Sequence, residues 1–231
     1  MEIITGLHQI SLGFVNAFAI NHDSGVTLVD AGFRGHAQRI LDYLARIGQR
    51  AEAVTHLIVT HADYDHIGGL AELKHRTGAE VVAHRLEAPV IEGRDVGRQA
   101  GSGLMGRLLS ISLTVGHRLW PVAPVRVDRA VEDGAELPGG IRLVHTPGHS
   151  PGHLVVYLPD RRALIAGDLL NHYRKLGTVP KHLLPDPAAL PASLQRVAEL
   201  DFDVLVFSHG SPIRSGAAAQ VRALARSINH A

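Results

Sequence analysis

His56-Leu57-Ile58-Val59-Thr60-His61-Ala62-Asp63-Tyr64-Asp65-His66-Ile67-Gly68-Gly69 couples a short apolar run to a cluster of ionisable side chains. The run has the composition of a strand buried in a sheet. It opens directly onto four ligand-type side chains, His61, Asp63, Asp65 and His66, within six residues. A metal cation needs several deprotonated donors converging to about 2.0–2.2 Å, and a loop at a strand end can aim them together. A helix is predicted to follow from Leu70 to Arg76, and Gly68-Gly69 is expected to allow close backbone approach where that helix begins.

Upstream, Ile10 to Ile20 and Val26 to Val29 read as strands, and Asp30-Ala31-Gly32 as the turn into a helix with Ile40, Leu41, Leu44 and Ile47 on one face. Downstream, strands are predicted at Val81 to Ala83, Val125 to Val131, Ile141 to His145, Leu154 to Leu158, Ala163 to Ala166 and Val204 to Phe207. Helices are expected over 192–200 and 216–228. Strands in two groups, each closed by helices, predict an α/β chain with two sheets packed together and helices outside. The strand-end signature recurs: His149 lies in HTPGHSPGH (145–153), Asp168 in LIAGD (164–168) and His209 in VFSHG (206–210), each after an apolar run and beside Gly or Pro.

Composition narrows the chemistry. The 231 residues are 45% hydrophobic and 19% charged, which excludes a disordered chain. Lys and Arg (23) nearly balance Asp and Glu (22), so the net charge of +1 provides no basic field for nucleic acid. Cysteine is absent, excluding a disulfide framework, a thiolate zinc site and a cysteine nucleophile. Histidine, with 16 copies, is in surplus, and imidazole with carboxylate suffices to bind metal. His8, His22, His36, His75, His84, His117, His182 and His230 are read as solvated or hydrogen-bonded residues. The N-terminus lacks a cationic, then apolar, leader, and no apolar run approaches the ~20 residues of a membrane span. A soluble cytoplasmic protein is expected, with a small-molecule substrate and no nucleic-acid or membrane partner; a homodimer is compatible with this.

Taken in order, these motifs resemble the metallo-β-lactamase superfamily over nearly the whole chain, from Asp30-Ala31-Gly32 to His209. The resemblance implies a single domain over 1–231 with a four-layer αββα sandwich of two mixed β-sheets. It also implies two divalent metal ions, with zinc the first expectation and iron or manganese the alternatives. One would take His61, Asp63 and His149, the other Asp65, His66 and His209, with Asp168 bridging both. A hydroxide between them would be the nucleophile, because metal binding lowers the pKa of water from 15.7 towards 7. The family's usual HxHxDH here reads HxDxDH, with Asp63 in place of a histidine. That substitution makes the implied site formally neutral and favours harder metals.

The implied activity is hydrolysis of an ester, lactone, thioester or related small-molecule bond, with Asp65 and Tyr173 the candidates for direct catalytic roles. Tyr173 follows Asp168 in Asn171-His172-Tyr173-Arg174-Lys175, where it could donate to an oxyanion. His145 and His153 are expected either to orient the ligands or to make ordinary strand-end hydrogen bonds. Residues 94–121 and 169–187 are read as insertions able to cover the site, with Leu104, Met105, Leu108, Leu109 and Trp120 facing either an apolar substrate or the protein interior. Resemblance to glyoxalase II is weakened because only 22 residues follow His209, and to β-lactamases because no cysteine is available at position 168. A diiron redox enzyme of the flavodiiron type is the alternative that Asp63 supports; a β-lactamase or phosphodiesterase ranks below it. A scaffold without activity predicts lost ligands, yet every ligand position holds a competent donor.

Overall fold

The structure, a computed structural model, describes residues 1–95 and 122–229. The predicted covering residues between Leu104 and Trp120 lie outside the described residues. Two compact units are formed, one from residues 1–95 and 122–132, the other from residues 133–229. No helix among the described residues is long and apolar enough to cross a membrane.

The first unit is a seven-stranded mixed sheet in sequence order: β1 (Glu2–Ile4), β2 (Leu7–Ser11), β3 (Asn16–His22), β4 (Gly25–Val29), β5 (Val54–Val59), β6 (Glu80–His84) and β7 (Arg129–Val131). Strands β1 to β4 pair antiparallel, and β4 to β7 pair parallel. The change of sense follows from the connections, because a short turn can only reverse the chain whereas a crossover can restore its direction. Helices α1 (Ala37–Arg46), α2 (Tyr64–Ile67), α3 (Leu70–Thr77) and α4 (Ala88–Ile91) occupy the links. Ile40, Leu41 and Leu44 of α1 and Leu70 and Leu73 of α3 pack on alternate sheet residues, including Ala17, Leu28, Leu57, Val59 and Val81. Each such aliphatic side chain contributes about 1.5–3 kcal/mol by leaving water.

Two strand readings need correction. The run from Ile10 to Ile20 is split into β2 and β3 by a turn in which the Leu12 N–H donates to the Val15 carbonyl (3.0 Å), with Gly13 at φ +104°. The Val125 to Val131 run is a strand only from Arg129. Its earlier amides bond elsewhere: Val125 N–H to the Ile91 carbonyl at 2.9 Å, and Val127 N–H to the Glu92 carboxylate at 3.1 Å.

The second unit holds β8 (Glu136–Leu137), β9 (Ile141–His145), β10 (Leu154–Leu158), β11 (Ala163–Ile165), the small hairpin β12 (Asn171–His172) and β13 (Leu176–Gly177), and β14 (Val204–Val206). Its mixed sheet runs β14-β11-β10-β9-β8, parallel only between β11 and β14. Helices α5 (Leu190–Ala198) and α6 (Ala217–Asn229) cover it through Leu190, Leu194, Val197, Val221 and Ala225. Because β9 and β11 both oppose β10, and β14 follows β11, the chain leaves β9, β11 and β14 at the same edge of the sheet. The parallel β4, β5 and β6 likewise deliver Asp30, the 60–66 loop and the 84–87 turn to one edge of the first sheet.

Candidate metal centre

In the first unit a buried carboxylate organises the ligand loop. Asp30, at φ +60°, accepts from Thr60 N–H (2.8 Å), from the Thr60 hydroxyl (2.8 Å) and from His66 Nδ1 (2.8 Å). These bonds set the proton positions. The Thr60 hydroxyl has one hydrogen, committed to Asp30, so at its 3.0 Å contact with His61 Nδ1 it can only accept. Both His61 and His66 therefore carry their proton on Nδ1, which makes Nε2 the lone-pair nitrogen of each. Both rings are fully buried, with centroids 3.9 Å apart.

Each imidazole has a carboxylate beside its Nε2. His61 Nε2 lies 3.5 Å from Asp63 Oδ2, and His66 Nε2 lies 3.7 Å from Asp65 Oδ2. These separations exceed the 2.7–3.2 Å of an N–H···O hydrogen bond. They match two donors about 2.1 Å from one tetrahedral cation, which stand about 3.4 Å apart. The donor set therefore fits a metal. Asp63 also occupies the N-cap position of α2, where aspartate ordinarily accepts from the first amides of the helix; its side chain makes no such cap bond. Tyr64 is pushed up to about 12, by burial and then by the Asp63 carboxylate, so its phenol stays protonated.

Gly68 and Gly69 allow the close approach expected of them. A Cβ on Gly68 would lie 2.3 Å from the Arg34 nitrogen, and one on Gly69 would lie 2.5 Å from the Ala31 carbonyl oxygen. The Asp30-Ala31-Gly32 turn is thereby laced to α2, with the Ala31 N–H donating to the His66 carbonyl at 2.7 Å.

The second unit converges on Asp168. Its Oδ2 lies 3.5 Å from His149 Nε2 and 3.4 Å from His209 Nε2, again at ligand spacing. His153 is fully buried and holds the turn: its Nε2 accepts the Asp168 N–H (3.0 Å), so its proton is on Nδ1 and is donated to the Thr146 hydroxyl (2.8 Å). His153 thus orients the backbone that carries the carboxylate. His145 makes a strand-end hydrogen bond, its Nε2 donating to the Pro151 carbonyl at 2.8 Å. His209 is steadied by His172, whose N–H donates to the His209 carbonyl (3.1 Å) and whose Nδ1 donates to the Ser211 carbonyl (2.9 Å). Tyr173 is 60% exposed and lines a cavity of about 180 Å³ with Asp168, Asn171, Val179, Pro180 and His209.

Gly167 ties this geometry to one backbone conformation. It sits at φ +54°, and a Cβ there would lie 2.5 Å from His153 Nε2. Gly167→Ala is expected to cost about 1–3 kcal/mol through the strained φ alone. It should also displace His153 from the Asp168 amide; chemical denaturation and metal titration of the same variant would measure both effects.

The carboxylates and imidazoles at the strand ends were legible as candidate donors. Their holders were not: Asp30 read as a turn residue, and Thr146 and His172, though inside the 145–153 and 171–175 stretches, carried no sign of a holding role. The available signal was a polar residue ending an apolar strand, as Asp30 does after Val26 to Val29.

Comparison with known proteins places these observations in a family. The sequence profile of the metallo-β-lactamase superfamily matches residues 10–209. A probable metallo-hydrolase, YflN, of Bacillus subtilis (strain 168) is 25% identical over 92% of this chain and 86% of its own length. A hydroxyacylglutathione hydrolase of Rhizobium meliloti (strain 1021) is 33% identical over 57% of this chain, but the match spans only 38% of that protein. A class B3 di-zinc metallo-β-lactamase from an Alaskan soil metagenome superposes with a TM-score of 0.74 at 20% identity, covering 100% of this chain and 91% of that one. The last likeness shows the fold of two mixed sheets with helices.

Proposed function

Because the chain belongs to the metallo-β-lactamase superfamily and its relatives include named hydrolases, we propose that this metallo-hydrolase cleaves an ester, lactone or thioester of a small molecule. In this reading one divalent cation takes His61, Asp63 and His149, and a second takes Asp65, His66 and His209, with Asp168 serving both. Bound divalent cations supply Lewis acidity and a water acidified towards neutral pH.

The remaining work falls to the chain itself. Asp30 and Thr60 hold His61 and His66 in the tautomer that offers Nε2, so no ring has to reorient or lose a proton on binding. His153 sets the direction of Asp168 through the backbone, by accepting the Asp168 N–H. Val179 and Pro180 give the 180 Å³ cavity an apolar wall of a size that suits a short acyl group, while Asn171 and Tyr173 bring an amide and a hydroxyl to its oxygen. Arg174 and Lys175 at the exposed tip of the β12–β13 hairpin favour a substrate with a negative charge beyond the scissile bond.

One observation supports the reading above the others: in both units carboxylate and imidazole donors stand 3.4–3.7 Å apart at strand ends, each set braced by buried hydrogen bonds. The test is to strip the protein with chelator, restore zinc, manganese or iron, and assay lactones, thioesters, phosphodiesters and β-lactams. Two equivalents of metal and metal-dependent acyl hydrolysis are expected; active protein with a stoichiometry near zero would sink the proposal. Asp63 favours a second reading, because an extra carboxylate suits iron. Ferric absorption with oxygen consumption, and no hydrolysis, would select the redox enzyme.

A further inference from the structure

Glu87 is an acid in a place where acids are rare. It is 3% exposed, in the turn that follows β6. Burying a carboxylate costs several kcal/mol unless hydrogen bonds replace its hydration. Its Oε2 accepts the N–H of Ala62, at 2.9 Å, and Ala62 is the residue between His61 and Asp63. Glu87 is itself held from both sides. Its N–H donates to the His84 carbonyl at 2.9 Å, and its carbonyl accepts from Val90 and Ile91, each at 3.1 Å. A buried carboxylate on an anchored main chain therefore grips the peptide between His61 and Ala62, one residue before Asp63.

That peptide matters because it sets the direction in which the chain leaves His61 for Asp63. His61 is also held through Thr60 and is fully buried, whereas the Asp63 side chain is 23% exposed and makes no cap bond to α2. Rotation of the 61–62 peptide would swing the Asp63 carboxylate away from His61 Nε2, from which it now stands 3.5 Å.

We propose that Glu87 is a positioning residue that holds the His61–Asp63 pair at ligand spacing by anchoring the Ala62 amide. The inference rests on the reading that this pair holds a cation. It assigns the effect to the reach of the acceptor, and not to its charge. Glu87→Gln keeps the reach and an acceptor oxygen while removing the charge; Glu87→Asp keeps the charge and withdraws the oxygen by one methylene.

The experiment strips the wild type and both variants with chelator, then titrates zinc against a chromophoric competitor, records the absorption spectrum with cobalt, and measures the melting of each metal-free protein. The glutamine variant should bind zinc like the wild type. The aspartate variant should bind about 10–100-fold more weakly, the usual effect of losing a partner that orients a ligand, and show an altered cobalt spectrum. Tight binding by the aspartate variant with weak binding by the glutamine variant would overturn the proposal in favour of charge. Zinc affinity and cobalt spectra unchanged in both, whatever the melting shift, would reduce Glu87 to a packing role and overturn it too. A wild type that binds no zinc or cobalt at all would instead remove the metal reading on which the inference rests.

Discussion

Asp30→Asn should leave a folded protein that has lost hydrolysis by about 1,000-fold or more, the scale seen where a histidine is forced into the wrong tautomer. Asparagine tolerates the φ of +60° at this position. Its amide oxygen must stay on the Thr60 N–H, which is a donor and nothing else. The NH2 group then falls where Oδ2 stood, facing the Thr60 hydroxyl and His66 Nδ1, both of which donate in the native protein. His66 can meet that donor only by moving its proton to Nε2, which removes the lone pair meant for the cation. Metal bound per chain and kcat should therefore fall together, while far-ultraviolet circular dichroism persists. Asp30→Ala is a different injury: three donors lose a buried acceptor, and breaking such a pair costs about 3–5 kcal/mol. If the asparagine variant binds metal as the wild type does, the tautomer assignment of His66 is wrong.

The opposite separation is expected at Asp168. Asp168→Ala should abolish metal-dependent hydrolysis and leave the melting temperature of the metal-free protein nearly unchanged. The backbone N–H of this residue donates to His153 Nε2 at 3.0 Å, and alanine keeps that bond. What alanine loses is the oxygen that stands 3.5 Å from His149 Nε2 and 3.4 Å from His209 Nε2. With two imidazoles left near an absent carboxylate, metal affinity should fall well beyond the 10–100-fold of an orienting partner. Calorimetric melting with and without zinc measures both halves: stabilisation by a ligand follows RT ln(1 + [L]/Kd), so the zinc-induced rise should vanish in the variant. A retained zinc-induced shift would place the cation elsewhere.

His61, Asp63, Asp65, His66, His149, Asp168 and His209 could be picked from the sequence as candidate donors because strand ends are visible where apolar runs stop at Gly or Pro. The helix around Ile40, Leu41 and Leu44 was visible for a similar local reason, its 3.6-residue spacing. The misread Ile10 to Ile20 run shows the limit of such signals, since nothing in composition distinguishes one long strand from two short ones joined at Gly13. The β12–β13 hairpin and α2 were likewise hidden, because elements of two to four residues are too short for any periodicity to show.

The sequence by itself determined the family, the fold class and the donor atoms on offer, since each of these is written in residues close together along the chain. Only the tertiary structure decided which nitrogen of His61 and of His66 carries the proton. That choice depends on a partner brought in from far away: Asp30 lies 36 residues before His66 and 30 before Thr60. A hydrogen bond across such a distance exists only once sheet register has aligned the strand ends, so no local pattern of residues can announce it.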